Sequence, residues 1–178
     1  MGTKLAPFPW RLGRRGFHRA FDASQKRLGG HLKRVQLHWS TARYAPWQEA
    51  ALLDGLADLV QAQQVDELGV SNVGPRRLRW MQARLMERGV KLRSVQIQWS
   101  LLSPGLAQAQ ELLDLAQSLD IEVLAYSPLA FGVLSCAPAE EPRPSTWVRQ
   151  RLYRRLLPES LEIRQLLLAI ATERGASM

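Results

Sequence analysis

Between Val35 and Ser40 the chain alternates strictly: Val35, Leu37 and Trp39 are apolar, while Gln36, His38 and Ser40 are polar. Successive side chains of a strand point to opposite faces, so the alternation predicts a half-buried strand whose polar face ends in an imidazole. Three further segments of this type follow, Glu67 to Asn72, Arg93 to Trp99 and Ile121 to Ser127. In the second of them Val95, Ile97 and Trp99 alternate with Gln96 and Gln98. Helical periods fill the intervals, carried by Phe17, Phe21, Ser24 and Leu28, then Leu52, Leu56, Leu59 and Val60, then Leu78, Met81 and Leu85, then Leu112, Leu115, Ala116 and Leu119. The repeat of about 25 to 35 residues is one strand plus one returning helix.

The punctuation agrees. Met1 to Leu5 reads as the end of a strand, and Ala6 to Trp10 is a loop because of Pro7 and Pro9. Gly29-Gly30 and Gly89 stop helices, and Pro75 suits a first helical turn. After Tyr126 the stretch Ser127 to Gly132 breaks the pattern, and Ala137 to Thr146 is a proline-rich surface loop. Two helices are expected at the end, 147–157 and 161–174, the second with Leu161, Leu168 and Ile170 among its apolar positions.

Regular alternation of strand and helix implies an α/β fold with parallel strands and right-handed crossovers, either a doubly wound sheet or a (β/α)8 barrel. The barrel is favoured. His38, Ser71, Asn72, Gln96 and Tyr126 all fall at or just past strand C-terminal ends, where barrel enzymes build their sites. No Gly-x-Gly-x-x-Gly follows any strand, which removes the usual sign of a doubly wound nucleotide fold. A whole barrel takes about 250 residues. With 178 residues, four strands and the end of a fifth, the expectation is a single domain over 1–178 that is a partial (β/α)8 TIM barrel.

Composition narrows the function classes. At 46% hydrophobic the chain can bury a core. It has no apolar run long enough for a membrane span and no secretory leader, so a cytoplasmic protein with no membrane partner is expected. The single Cys136 rules out an internal disulfide and argues against a cysteine zinc site, so no metal is expected. The net charge of +8 raises the question of nucleic acid. The arginines are scattered over polar helix positions, as solvated faces are, and nucleic-acid binding is the least expected reading. His18 and His31 are expected at the surface.

Five stretches then carry a resemblance: Thr3-Lys4, Leu37-His38-Trp39, Gly69-Val70-Ser71-Asn72, Gln96 within Val95-Gln96-Ile97-Gln98, and Ala125-Tyr126-Ser127-Pro128-Leu129. In this order and spacing the chain resembles the aldo/keto reductases, NADPH-dependent (β/α)8 barrel enzymes that reduce aldehydes and ketones. The resemblance implies NADP(H) as cofactor and a small carbonyl compound as substrate. It implies that Lys4 and His38 are active-site residues of the catalytic tetrad. Ser71, Asn72 and Gln96 would hydrogen-bond the nicotinamide carboxamide, Tyr126 would stack on the ring, and Ser127 and Leu129 would line the start of the pyrophosphate channel. Hydride delivery to a carbonyl builds an alkoxide, which a proton donor and nearby cations or hydrogen bonds stabilise.

The departures matter as much. The tetrad's Asp and Tyr belong to elements that would precede Met1, and none of Tyr44, Tyr126 and Tyr153 stands at the proton donor's place. The segment gripping the adenosine 2′-phosphate would follow Met178. Ser135-Cys136-Ala137 stands where the family usually reads Thr-Gly-Lys. Three readings result: a truncated reductase with little activity alone, a non-catalytic half-barrel that associates with itself or a complementary chain through its open edges, and a basic nucleic-acid binder. Trp10, Trp39 and Trp99 near the site fit apolar carbonyl compounds without choosing among them.

Overall fold

The structure is a computed structural model, and it describes residues 1–30, 32–103, 106–140, 142 and 144–177. Five parallel strands lie in sequence order, β1 (Gly2–Leu5), β2 (Arg34–Leu37), β3 (Glu67–Ser71), β4 (Leu92–Gln98) and β5 (Glu122–Tyr126). Helices α1 (Gly13–Arg27), α2 (Pro46–Gln61), α3 (Pro75–Met86) and α4 (Leu106–Ser118) make the four crossovers, and α5 (Trp147–Glu159) and α6 (Leu161–Glu173) follow. This is the expected part of a (β/α)8 barrel.

The described residues fall into two compact units, Met1–Ile97 with Gly105–Leu124, and Gln98–Pro104 with Ala125–Met178. In the first, each helix lays one stripe on the outer face of the sheet. Phe17, Ala20, Phe21 and Ser24 of α1 recur at helical spacing and are buried. Leu78, Met81 and Leu85 do the same for α3, which begins at Pro75. Beneath the helices Val35, Leu37, Leu68, Val70 and Val95 are all inaccessible to solvent. The helix stops are as the glycines imply, since Gly29, Gly30 and Gly89 have φ of 74°, 81° and 69°.

The inner face of the sheet is polar. Gly2, Lys4, Arg34, Gln36, Glu67 and Gln96 line an open hollow of about 650 Å³. Arg34 Nε donates to Glu67 Oε2 at 2.6 Å on the adjacent strand, and its Nη2 donates to Glu122 Oε2 at 2.8 Å on β5. In a flat sheet β2 and β5 would stand about 14 Å apart. One guanidinium reaches both carboxylates because the sheet curls toward its polar side, as a barrel wall does. Gly69 makes room within this face: a Cβ there would meet Ser94 Oγ at 2.4 Å. Gln36 Nε2 donates to that same hydroxyl across it at 3.4 Å.

The second unit holds the end of β5, a 3-10 turn at Ala130–Ser135, and α5 and α6. Ala130, Val133 and Leu134 form its small core, with Leu102, Tyr153, Leu156, Leu157, Ile163 and Leu167 packed against it. The helix expected at 161–174 is present as α6. Leu161, Leu168 and Ile170 are 40 to 45% exposed, and α6 instead buries Arg164 and Ala171. Arg164 is buried because its guanidinium donates to the carbonyls of Cys136, Ala137 and Leu157 at 3.0 to 3.3 Å, joining the turn exit to the last turn of α5. Cys136 is a buried free cysteine. His18 is only half exposed, its Nε2 3.0 Å from the carbonyl of Gly55; His31 lies outside the described residues. No helix among the described residues is long and apolar enough to cross a membrane.

Candidate active site

The register of the sheet decides which side chains meet. Lys4 pairs with Gln36 between β1 and β2, and Ser71 pairs with Gln96 between β3 and β4. His38 is the first residue beyond β2, its N–H bonded to the carbonyl of Leu5 at 3.1 Å. The C-terminal tips of four neighbouring strands thus present Lys4, His38, Ser71 with Asn72, and Gln96 on one rim.

Direct contacts join them. Lys4 Nζ donates to Gln96 Oε1 at 2.9 Å, although 92 residues separate the two in sequence. Asn72, with φ of 56°, donates from Nδ2 to the carbonyl of His38 at 3.1 Å and to Ser71 Oγ at 3.0 Å. Its backbone N–H donates to the carbonyl of Gln96 at 2.9 Å. Ser71 is buried and Asn72 exposed, so the asparagine lies over the serine. The following helix, α3, has Gly74 as its N-cap residue.

The electrostatics suit a neutral imidazole. Partial burial pushes the His38 pKa below its ordinary value, and the positive charge of Lys4 pushes it further down. At neutral pH His38 therefore donates or accepts a hydrogen bond without carrying charge. Trp39 lies beside it with ring centroids 4.7 Å apart. The indole is held by Tyr44, whose hydroxyl accepts from Trp39 Nε1 at 2.8 Å and donates to the carbonyl of Pro7 at 3.2 Å. Phe8 meets the Trp39 ring edge to face at 5.7 Å and stacks on Trp10 at 4.7 Å. The sequence pointed to Trp10 and Trp39 near the site but not to Phe8 and Tyr44, which complete the cluster.

The remaining candidates belong to the second unit. Tyr126 ends β5, and its carbonyl accepts from the N–H of Trp99 at 3.2 Å. Ser127, Ala130, Phe131 and Gly132 all have positive φ, between 49° and 98°. The Leu129 carbonyl accepts from the N–H groups of Gly132 and Leu134, and its side chain is half exposed. A tight turn with four left-handed residues is strained backbone of the sort held at binding loops. Among the described residues no group of three or more metal-ligating side chains is gathered.

Sequence reasoning missed the carboxylate beneath this rim. Glu49, in the first turn of α2, is fully buried. It accepts from the Ser40 hydroxyl and from the Thr41 N–H at 3.0 Å, and it pairs with Arg77 of α3. Its signal was available: a lone acid four residues into a helix, facing a loop of Ser40 and Thr41 that needs acceptors.

Comparison with known proteins gives the family and the fold. The sequence model of the Aldo/keto reductase family matches residues 2–178. The chain is 41% identical over 179 residues to the chloroplastic pyridoxal reductase of Arabidopsis thaliana, covering 100% of this chain and 48% of that one. It thus spans about half the length of the curated relative it matches. Among solved structures, a glycerol dehydrogenase from Gluconobacter oxydans superposes with a TM-score of 0.73 at 21% identity, over 93% of this chain and 49% of the other. A thermostable aldo-keto reductase in complex with the inhibitor epalrestat gives 0.70 at 19% identity, over 98% and 52%. These structural likenesses carry the fold, and the family match carries the descent. The chain belongs to the aldo/keto reductase family.

Proposed function

We propose that these residues form the nicotinamide-binding side of an NADP(H)-dependent oxidoreductase that reduces an aldehyde or ketone to an alcohol. The observation behind this reading is the convergence of Lys4, His38, Asn72 and Gln96 on one rim, with Lys4 in contact with Gln96. The residues fit the cofactor: a carboxamide needs a donor and an acceptor side by side, and Asn72 and Gln96 offer amides at adjacent strand tips while Ser71 backs them from below. Ser127 and Leu129 would hold the pyrophosphate through the turn that follows β5, and Tyr126 would lie against the ring. When bound, the nicotinamide supplies the hydride. Neutral His38 would orient the carbonyl oxygen by hydrogen bonding, and the Lys4 ammonium would stabilise the negative charge growing on that oxygen. The aromatic wall of Phe8, Trp10 and Trp39 favours a flat, ring-bearing substrate, in keeping with the pyridoxal named for the plant relative. We place the reaction in the cytoplasm on the composition of the chain, while that relative is named for the chloroplast.

Titration of the 178-residue chain with NADPH, followed by cofactor fluorescence, tests the reading. Saturable binding is expected, weakened about tenfold by Gln96→Ala through loss of one or two hydrogen bonds. Absence of saturable binding contradicts it.

β1 and β5 are the end strands of the sheet, and an unpaired strand edge is a template for another chain. We therefore add that the chain associates with a second copy or with a complementary chain through these edges. Light scattering over a range of concentrations is expected to show a mass above the 20.1 kDa of one chain; a strict monomer at all concentrations contradicts association with itself.

A further inference from the structure

The loop carrying His38 and the loop carrying Asn72 leave a cleft of about 420 Å³ between them, lined by Trp39, Ser40, Arg43, Asn72, Gly74 and Arg77. Two side-chain ties cross it. One is the Asn72 amide on the His38 carbonyl. The other is deeper, where Glu49 and Arg77 meet.

That second tie is unusual in its placement. Glu49 has no solvent exposure, whereas the Arg77 side chain keeps 30% of its own. Ionised carboxylates are rarely buried without every lone pair in use. Glu49 Oε1 accepts from the Ser40 hydroxyl and the Thr41 N–H, and Oε2 forms no hydrogen bond but is ion-paired with the Arg77 guanidinium, while Ser40 Oγ accepts in turn from the Ala42 N–H at 3.1 Å. Ser40 and Thr41 are two and three residues past His38. Arg77 is five residues past Asn72, and its guanidinium carbon lies 4.0 Å over the Trp80 ring, which fixes its rotamer. A single carboxylate thus ties down the loop of one candidate site residue and, through Arg77, the helix that follows the other.

We infer that Glu49 and Arg77 are positioning residues, which set His38 and Asn72 at the spacing a nicotinamide and its carbonyl partner require. This rests on the proposed oxidoreductase reading. An apolar pair of equal volume in this place would hold the two helices together, but it would leave the Ser40 hydroxyl and the Thr41 N–H without their acceptor, and the His38 loop would loosen.

The test is the double variant E49M/R77M, with R77K as the conservative control, all in the full 178-residue chain. Three quantities are read: the thermal midpoint, the affinity for NADP+, and the titration of the His38 imidazole by proton NMR, assigned with His38→Asn. For E49M/R77M a midpoint near that of the unsubstituted chain is expected, together with a loss of NADP+ affinity of about 10- to 100-fold. The His38 titration is expected to move up, because a looser loop hydrates the ring and carries it away from Lys4. R77K, which keeps the charge against Glu49, is expected to retain the His38 titration of the unsubstituted chain. A folded E49M/R77M that binds NADP+ and titrates as the unsubstituted chain does overturns the inference, since the pair would then only join helices. Should E49M/R77M fail to fold, Glu49→Asp decides: it keeps the charge but falls one methylene short of Ser40 and Thr41, and an unchanged His38 titration in it overturns the inference equally. If the unsubstituted chain itself does not bind NADP+, the oxidoreductase reading fails, and the His38 titration still decides whether the pair positions that loop.

Discussion

Replacing Asp54 by alanine is expected to cost about 3 kcal/mol of stability, at the low end of what breaking a buried ion pair costs. Asp54 lies in the middle of α2 and is 5% exposed. Its Oδ2 accepts from Arg14 of α1 and Arg84 of α3, each at 2.8 Å, and Arg88 approaches Oδ1 at 3.8 Å. Without it, three guanidinium groups from either side of α2 face one another across a vacated site, with Asp58 left to answer Arg14 and Arg88. Arg14 keeps 47% of its surface in water, which is why the loss falls at the low end. For a chain of this size the midpoint should drop by about 6 to 12 °C.

The effect carries a pH signature. Burial alone would push the Asp54 carboxyl up, but hydrogen bonds and charge from Arg84 and Arg14 outweigh it and hold the carboxyl below its ordinary range. A carboxyl whose folded pKa lies below its unfolded value binds its proton first in the unfolded state. Its contribution is therefore full above about pH 4 and is lost as pH falls through the depressed folded value. Urea melts of the unsubstituted chain and Asp54→Ala should differ at neutral pH and converge in acid. A constant difference across that range would mean that the carboxylate charge is not what stabilises the site.

The second large effect concerns turnover. The 178-residue chain is expected to reduce simple aldehydes with NADPH about 100- to 10,000-fold more slowly than a full-length family member, the usual worth of a general acid. The new alkoxide needs a proton, and the rim offers poor sources. His38 is neutral at working pH, its pKa lowered by burial and by Lys4. The Tyr44 hydroxyl donates to the Pro7 carbonyl. Loss of NADPH absorbance in the presence of a flat aromatic aldehyde measures the rate. Turnover equal to that of a full-length member would show that these residues hold a sufficient acid after all.

Much of this arrangement is legible in the sequence because the chain follows two periods closely. Val35 and Leu37 against Gln36 and His38 foretold a strand with one face to the helices and one to a polar interior, and the Arg34, Glu67 and Glu122 contact shows that interior curling as a barrel does. Gly29, Gly30 and Gly89 end their helices where a left-handed residue was needed. Where the reading fell short, charge was taken as a mark of the surface. Asp54, Glu49 and Arg164 are buried because other groups on distant segments satisfy them, and no local pattern reports those partners. A hint lay in the run Leu52-Leu53-Asp54-Gly55-Leu56-Ala57-Asp58, where two acids one helical turn apart sit among apolar neighbours. Several arginines that read as scattered solvated charge are their counterparts, Arg14, Arg77, Arg84 and Arg88 among them. Leu161, Leu168 and Ile170 are apolar positions of a helix that is present but they are exposed, since helical period names an apolar stripe and not what covers it.

The most direct test of the central claim is an NMR titration of the chain with NADP+, observing the side-chain amides of Asn72 and Gln96 together with the His38 ring. If the strand tips form one nicotinamide site, the three sets of signals shift along a single binding curve, and Gln96→Ala weakens the response of the other two. Shifts confined to residues away from the ends of β2, β3 and β4, or three unrelated curves, would contradict it.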